Sequence, residues 1–188
     1  VVLYQGERVF SSEIPTETVE RFHQMVKEDG YGLTAYNDKE FYLVESSAGA
    51  KDAYGFIHTN PPALNADFYK ENPINMMLFI SLPPAEEKYK VAFPNLDFLR
   101  NTPYSVDVIS KGNSKAEGIK RFLEYLNQED AETYAFGDGP NDIEMLQAVT
   151  HPVAMGNAIP VLKEIAEFIT TDNTDNGIIN GLKHYDLI

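Results

Sequence analysis

The spacing of hydrophobic residues in the first half of the chain predicts one amphipathic helix. Val19, Phe22 and Val26 recur at intervals of three and four residues, which places them on one helical face. Pro15 suits the start of a helix, and Gly30 suits the position just after its last turn. We therefore predict a helix between these two residues that buries its apolar face.

Short apolar runs bounded by turn residues predict a group of strands beyond this helix. The runs cover residues 32–36, 40–45 and 75–82, with two more near Phe98 and Val106. Residues 47–73 are rich in Gly, Asn and Pro, which predicts irregular structure with one short helix. Together these elements predict a mixed α/β domain over residues 11–108.

The last part of the chain alternates between predicted helices and strands. Ser114 is a suitable N-cap for a helix with apolar residues Ile119, Phe122, Leu123 and Leu126. Further strands and helices alternate after it: strands at 133–136, 153–158 and 168–173, and helices near 160–166 and 177–184. Such alternation is typical of a parallel sheet with flanking helices, so the predicted fold class is α/β.

A glycine-flanked aspartate follows the strand that ends at Phe136. Gly137 and Gly139 allow a sharp turn around Asp138, and Pro140 suits the first position of the next helix. In open α/β sheets, ligands bind at the carboxyl ends of strands, where helix N-termini attract anions. A carboxylate beside an anion requires a cation, and Mg2+ binds one or two protein carboxylates together with phosphate oxygens. Asp138 is therefore a candidate magnesium ligand.

A simpler interpretation of this loop is a helix cap. Asp, Asn and Gly favour turns and N-caps through local hydrogen bonds alone. On that interpretation Asp138, Asn141 and Asp142 only start a helix. The loop by itself leaves both interpretations open.

Lys115 lies in the first turn of the helix that Ser114 caps. A cation there faces the positive end of the helix dipole, at a cost of about 0.3–1 kcal/mol. A bound phosphate would offset that cost, and the alternative is a solvated lysine at a mildly unfavourable position. On either interpretation, Lys115→Ala is expected to leave stability unchanged or to raise it slightly.

Composition excludes several classes of protein. The chain has 188 residues, of which 43% are hydrophobic, and no apolar run long enough to span a membrane. It has no cysteine, which excludes disulfides, thiolate metal sites and a cysteine nucleophile. A net charge of −14 would repel nucleic acid and anionic membranes, so neither is an expected partner. The expected location is cytoplasmic.

Four sequence blocks together resemble the C-terminal half of Cof-type phosphatases of the haloacid dehalogenase (HAD) superfamily, the subclass IIB with a large α/β cap. The blocks are Ser114-Lys115, the loop from Gly137 to Asp142 with Ile143 and Met145, the segment from Ala154 to Ala158, and the segment from Asp175 to Gly177. The resemblance covers residues 106–188 and implies part of a Rossmann-like core, a parallel sheet with flanking helices, plus an inserted α/β cap. It implies a core-to-cap hairpin at 1–10, a cap at 11–108 and the C-terminal part of the core at 109–188.

The resemblance also implies roles for four residues. Lys115 would be the catalytic lysine that neutralises the phosphoryl group and the nucleophile, and it would thereby bind substrate. Asp138 would bind Mg2+, the implied cofactor, directly. Asp142 would contact that metal through a bound water, or it would contact the metal's direct ligands. Asn141 would contact the substrate phosphate.

One family segment does not occur in these 188 residues. Family members carry Asp-x-Asp-Gly-Thr, whose first Asp attacks phosphorus and whose second is the acid/base, and this chain has no such run. We expect the segment to precede Val1 in the complete protein. That N-terminal segment is then an expected partner of this chain, and residues 1–188 alone are expected to be inactive.

The predicted function is a Mg2+-dependent phosphomonoesterase that acts through a phospho-aspartate on sugar phosphates or similar small phosphorylated metabolites. Two alternatives stay open. One is a non-catalytic remnant that binds a ligand or a partner. The other is a phosphomutase, which would move phosphate between positions of one sugar.

Overall fold

The computed structural model describes residues 1–188 as ten strands and eight helices. The strands are β1 (Val2–Tyr4), β2 (Glu7–Phe10), β3 (Gly32–Tyr36), β4 (Phe41–Glu45), β5 (Met76–Ile80), β6 (Leu96–Thr102), β7 (Ser105–Ser110), β8 (Tyr134–Gly137), β9 (His151–Ala154) and β10 (Phe168–Ile169). The helices are α1 (Thr16–Asp29), α2 (Ala50–Phe56), α3 (Phe68–Glu71), α4 (Glu86–Ala92), α5 (Lys115–Leu126), α6 (Ile143–Ala148), α7 (Pro160–Ile165) and α8 (Gly177–His184), and a 3-10 turn covers Pro140–Asp142. No helix is both long enough and apolar enough to cross a membrane.

The chain divides into two units. The antiparallel unit comprises Val1 and Ser11–Asn113, and the parallel unit comprises Val2–Phe10 and Ser114–Ile188. Each unit is named after its main sheet. The domain boundaries drawn from the sequence stay a prediction.

The antiparallel unit contains a five-stranded sheet in the order β4-β3-β5-β7-β6, with every neighbouring pair antiparallel. Helices α1 and α4 cover one face, where Phe22 of α1 contacts Phe79 of the sheet and Tyr89 of α4. Helix α2 packs on the opposite face, where its buried Tyr54 lies in a smaller cluster with Leu43 and Ile80. Apolar residues alternate along the strands because successive side chains point to opposite faces.

Most elements predicted in this unit are confirmed. Helix α1 ends at Gly30, which adopts φ 74° as a left-handed cap. The segment 47–73 holds two short helices, α2 and α3, rather than the single one predicted. Helix α4 was not predicted, because within its seven residues and its cap only Tyr89 and Phe93 form a periodic apolar pair. So short a helix shows no sustained periodicity.

The parallel unit contains a three-stranded parallel sheet in the order β10-β9-β8. The carboxyl ends of its strands therefore meet at one edge, where Gly137 pairs with Ala154 and Ala154 with Ile169. Helix α5 is capped by Ser114, whose hydroxyl accepts from the Glu117 amide at 3.2 Å, as predicted. The hairpin of β1 and β2 contacts α5. The alternating β/α elements place the loops after the strands at the edge where ligands bind.

Candidate active site

The loop after β8 turns sharply because glycines remove side-chain bulk. A Cβ on Gly137 would lie 2.7 Å from both Asp142 Cβ and Leu146 Cδ1, so a larger residue would push the following helix away. Pro140 begins the 3-10 turn, where its missing N–H is not needed. The loop thus brings Asp142 back against the strand that it has just left.

Asp142 is a buried carboxylate with both oxygens engaged. Its Oδ2 accepts from the backbone N–H groups of Asp138 at 3.0 Å and Gly139 at 3.2 Å, and its Oδ1 accepts from Lys115 Nζ at 2.5 Å. Burial acts to raise the pKa of Asp142, but the Lys115 ammonium and the two amides hold it below its usual value. Asp142 is therefore ionised at neutral pH, and it caps the turn as the simpler interpretation of the loop requires.

Lys115 forms an ion pair with this carboxylate while remaining half exposed. Its side chain is 51% exposed, whereas that of Asp142 is 6% exposed. Asp142 is therefore an anion that offsets the unfavourable position of the lysine in the first helical turn. An ammonium has three N–H donors, so Lys115 can also donate to a second anion.

Asp138 is exposed at the carboxyl end of the sheet and is held by the next strand's loop. Its Oδ2 accepts from Asn157 Nδ2 at 2.8 Å, and Asn157 Oδ1 accepts from the Asn173 backbone N–H at 3.1 Å. Asn157 follows β9 and Asn173 follows β10, so one relay of hydrogen bonds links all three strand ends. The Asp138 Oδ1 atom takes part in no hydrogen bond of the structure.

Asn157 and Asn173 were not singled out from the sequence. Asn157 belongs to the block from Ala154 to Ala158 but was given no role there. The sequence predicted strands at 153–158 and 168–173, which include both residues, whereas the strands end at Ala154 and Ile169. The available signal was an amide side chain at the end of each predicted strand. Asn141, which was singled out, lies exposed on the 3-10 turn between Pro140 and Asp142.

The residues at this edge fit Mg2+ better than a softer metal. The structure contains no group of three or more His, Cys, Asp or Glu side chains that could hold a metal. Mg2+ does not require such a cage, because it retains water and is bound by one or two carboxylates plus substrate phosphates. The open Oδ1 of Asp138 meets that requirement, and Asn157 fixes the direction in which it points. Asp142 has no unengaged oxygen to offer.

Three known proteins are similar to this chain over all or nearly all of its length. YkrA of Bacillus subtilis (strain 168) is 34% identical over 188 residues, which is 100% of this chain and 73% of YkrA. The crystal structure of a protein from Geobacillus kaustophilus HTA426 matches 98% of this chain and 73% of its own, with TM-score 0.88 and 31% identity. That of the HAD subclass IIB sugar phosphatase BT4131 matches 99% of this chain and 72% of its own, with TM-score 0.82 and 26% identity.

The predicted resemblance and fold class are confirmed by these findings, because the matched structures share the Rossmann-like core with its α/β cap. A family model described as haloacid dehalogenase-like hydrolase matches residues 1–182. This chain therefore belongs to the haloacid dehalogenase-like hydrolases.

Proposed function

We propose that the complete protein hydrolyses phosphate monoesters of sugars or similar small metabolites with the help of Mg2+. The observation that carries the proposal is the meeting of Lys115, Asp138 and Asp142 at the carboxyl edge of a parallel sheet. The sugar phosphatase that shares this fold supports the substrate class.

Lys115 binds the phosphoryl group in this proposal. Its half-exposed ammonium remains able to donate to phosphate oxygens while Asp142 fixes its position. Phosphoryl transfer depends mainly on positioning and on electrostatic stabilisation of charge at the transferring group. A lysine held by a buried carboxylate does not need to reorganise when that charge develops.

Asp138 holds the metal in this proposal, with Asn157 as its positioning residue. When bound, Mg2+ neutralises negative charge on the phosphoryl oxygens and orients them. Asp142 acts indirectly, because it holds Lys115 and the two backbone N–H groups of the loop in position. Asn141, exposed on the same turn, contacts the substrate phosphate.

We further propose that the attacking aspartate and the acid/base aspartate come from a segment that precedes Val1. The attack forms a phospho-aspartate and breaks the phosphorus–oxygen bond to the sugar alcohol, which leaves with a proton from the acid/base aspartate. Water then hydrolyses the phospho-aspartate to inorganic phosphate. Two observations support this: no Asp-x-Asp-Gly-Thr run occurs in the 188 residues, and β8 has a strand neighbour on only one side. An unpaired strand edge is normally covered in folded proteins. Residues 1–188 alone are therefore expected to lack activity.

The test is a phosphate-release assay on the complete gene product. The protein is incubated with and without Mg2+ against sugar phosphates and nucleoside monophosphates, beside its Asp138→Asn and Lys115→Ala variants. Mg2+-dependent release that falls sharply in both variants supports the proposal. Transfer of phosphate to another position of the sugar would instead identify a phosphomutase. Ligand binding without any turnover would identify a non-catalytic remnant.

A further inference from the structure

Lys163 is a partly buried cation of the parallel unit that pairs with no carboxylate. It lies in α7, and its Nζ donates to the backbone carbonyl of Gly156 at 2.5 Å. It takes part in no ion pair of the structure. A hydrogen bond with an ionised donor is about twice as strong as one between neutral groups. The ammonium therefore holds the loop after β9 at one defined carbonyl.

That carbonyl belongs to a residue whose backbone is restrained on three sides. The Gly156 N–H donates to the Thr171 carbonyl at 3.0 Å. Its Cα lies so close to the loop after β10 that an added Cβ would be 2.4 Å from Asp172 Oδ1. Its C=O is the group that Lys163 holds. Glycine by itself permits many backbone conformations, so these contacts define the one that it adopts.

The restrained peptide leads directly to Asn157. The carbonyl of Gly156 and the Cα of Asn157 lie in one planar peptide unit, so the direction of that carbonyl fixes where the Asn157 side chain begins. This side chain donates to Asp138 Oδ2 at 2.8 Å and accepts from the Asn173 N–H at 3.1 Å. Hydrogen bonds weaken steeply when their angle closes, so a rotation of the peptide would loosen the hold on Asp138.

We propose that Lys163 is a positioning residue for Asp138 and acts through Gly156 and Asn157. The lysine fixes the peptide, the peptide fixes the Asn157 amide, and the amide fixes the carboxylate. Under the proposed function, on which this consequence rests, Asp138 then presents its open oxygen to Mg2+ in a defined direction. The role of Lys163 is geometric, although the residue is a cation.

A geometric role and simple electrostatics have opposite effects on Mg2+ affinity. Removing a cation reduces the repulsion of Mg2+ and would strengthen its binding. Removing a positioning contact leaves Asp138 less well oriented and would weaken its binding. Lys163→Met keeps the length of the side chain without its charge or donors, and Lys163→Arg keeps both. Lys183→Met is the matched control, because Lys183 is an exposed lysine of α8 without an ion pair.

The first measurement tests the geometry in the metal-free protein. The side-chain NH2 resonances of Asn157 are followed by 15N NMR of the complete gene product and are identified by their absence from Asn157→Ala. We expect Lys163→Met to move them towards the values of a solvated asparagine, and Lys163→Arg and Lys183→Met to leave them in place. Lys163→Gln, which is too short to keep the contact, replaces Lys163→Met if that variant does not fold. Unmoved Asn157 resonances in the variant without the contact overturn the proposal.

The second measurement is the affinity for a metal in the absence of substrate. Mn2+ is the probe, because it prefers the same oxygen ligands as Mg2+ and its unbound form is measured by EPR. We expect Lys163→Met to raise Kd about threefold, which is the size of one hydrogen bond, and Lys163→Arg and Lys183→Met to keep the wild-type value. Combined with Asn157→Ala, Lys163→Met should add nothing further, because it acts through Asn157. An unchanged or lower Kd in Lys163→Met, or losses that add in the double variant, overturns the role of Lys163 towards the metal.

The two measurements separate this proposal from the proposed function. A wild-type protein that binds no Mn2+ and releases no phosphate from any tested ester contradicts the proposed function. The NMR comparison then still decides whether Lys163 holds Asn157 against Asp138, because it requires neither metal nor substrate.

Discussion

The ion pair between Lys115 and Asp142 allows a stability prediction that the sequence alone does not. From the helix dipole, Lys115→Ala was expected to be neutral or slightly stabilising, by a few tenths of a kcal/mol. In the structure, however, Lys115 Nζ lies 2.5 Å from a carboxylate whose side chain is only 6% exposed. Removing the lysine leaves that buried charge with two backbone amides as its remaining donors.

Loss of the ion pair lowers the free energy of unfolding, whereas relief of the unfavourable dipole position raises it by a smaller amount. Breaking a fully buried ion pair from one side costs about 3–5 kcal/mol. Because Lys115 is half exposed and the amides remain, solvent screening reduces this to about 1–2 kcal/mol. Relief of the unfavourable dipole position returns about 0.3–1 kcal/mol. We therefore expect Lys115→Ala to destabilise the protein by about 1 kcal/mol.

A double-mutant cycle with Asp142→Asn isolates the pairwise term. Urea unfolding followed by circular dichroism gives the free energy of each variant, and hydrogen exchange of peptides from residues 115–148 localises the change. We expect a coupling energy of about 1–2 kcal/mol between the two positions. A coupling energy below about 0.3 kcal/mol would show that Lys115 is a solvated surface lysine and that its contact with Asp142 contributes nothing.

Three further predictions concern single positions. Asp138→Asn is expected to raise the Mg2+ concentration needed for half-maximal activity without lowering stability, because the side chain is exposed; an unchanged Mg2+ titration would contradict it. Asn157→Ala is expected to shift the same titration less, by about tenfold, because it removes only the group that orients Asp138. Glu86 bonds Arg100 through both oxygens at 2.7 and 2.6 Å, and that contact outweighs burial to lower its pKa. The stabilisation that Glu86 contributes is complete above its unfolded pKa and is lost as pH falls through the lower folded pKa. Glu86→Gln should therefore weaken the dependence of unfolding free energy on pH below about 4.5, and an unchanged dependence in urea unfolding would contradict this.

The sequence was most informative about features that depend on residues close together along the chain. Ser114 as N-cap, the turn after β8 and the alternation of strands and helices are local features, and all are confirmed. The resemblance assigned Asp138 and Asp142 to one metal site, and that assignment stays a prediction. The sequence could not show that Asp142 would be engaged by Lys115, which is 27 residues away.

The sequence was least informative where a contact depends on strand register. Tyr36 and Tyr54 are 18 residues apart, and their contact requires α2 to pack on the sheet. In the sequence they are two of many aromatics, each more simply explained as part of a core. The link from Asp138 through Asn157 to Asn173 likewise requires three strand ends to meet. Such contacts follow from topology rather than from local pattern.

Under the proposed function, Asp138 and Asp142 would contribute unequally to holding the metal. Of the two carboxylates in the loop after β8, Asp142 is occupied by Lys115 and the loop amides, so Asp138 is the one with an open oxygen. One carboxylate binds Mg2+ weakly, because the ion gives up its water reluctantly and needs further anionic oxygens. Under the proposed function we expect those oxygens to come from the substrate phosphate and from the proposed N-terminal segment. Metal binding, substrate binding and the pairing of that segment with β8 would then strengthen one another, since each supplies or positions ligands that the others require.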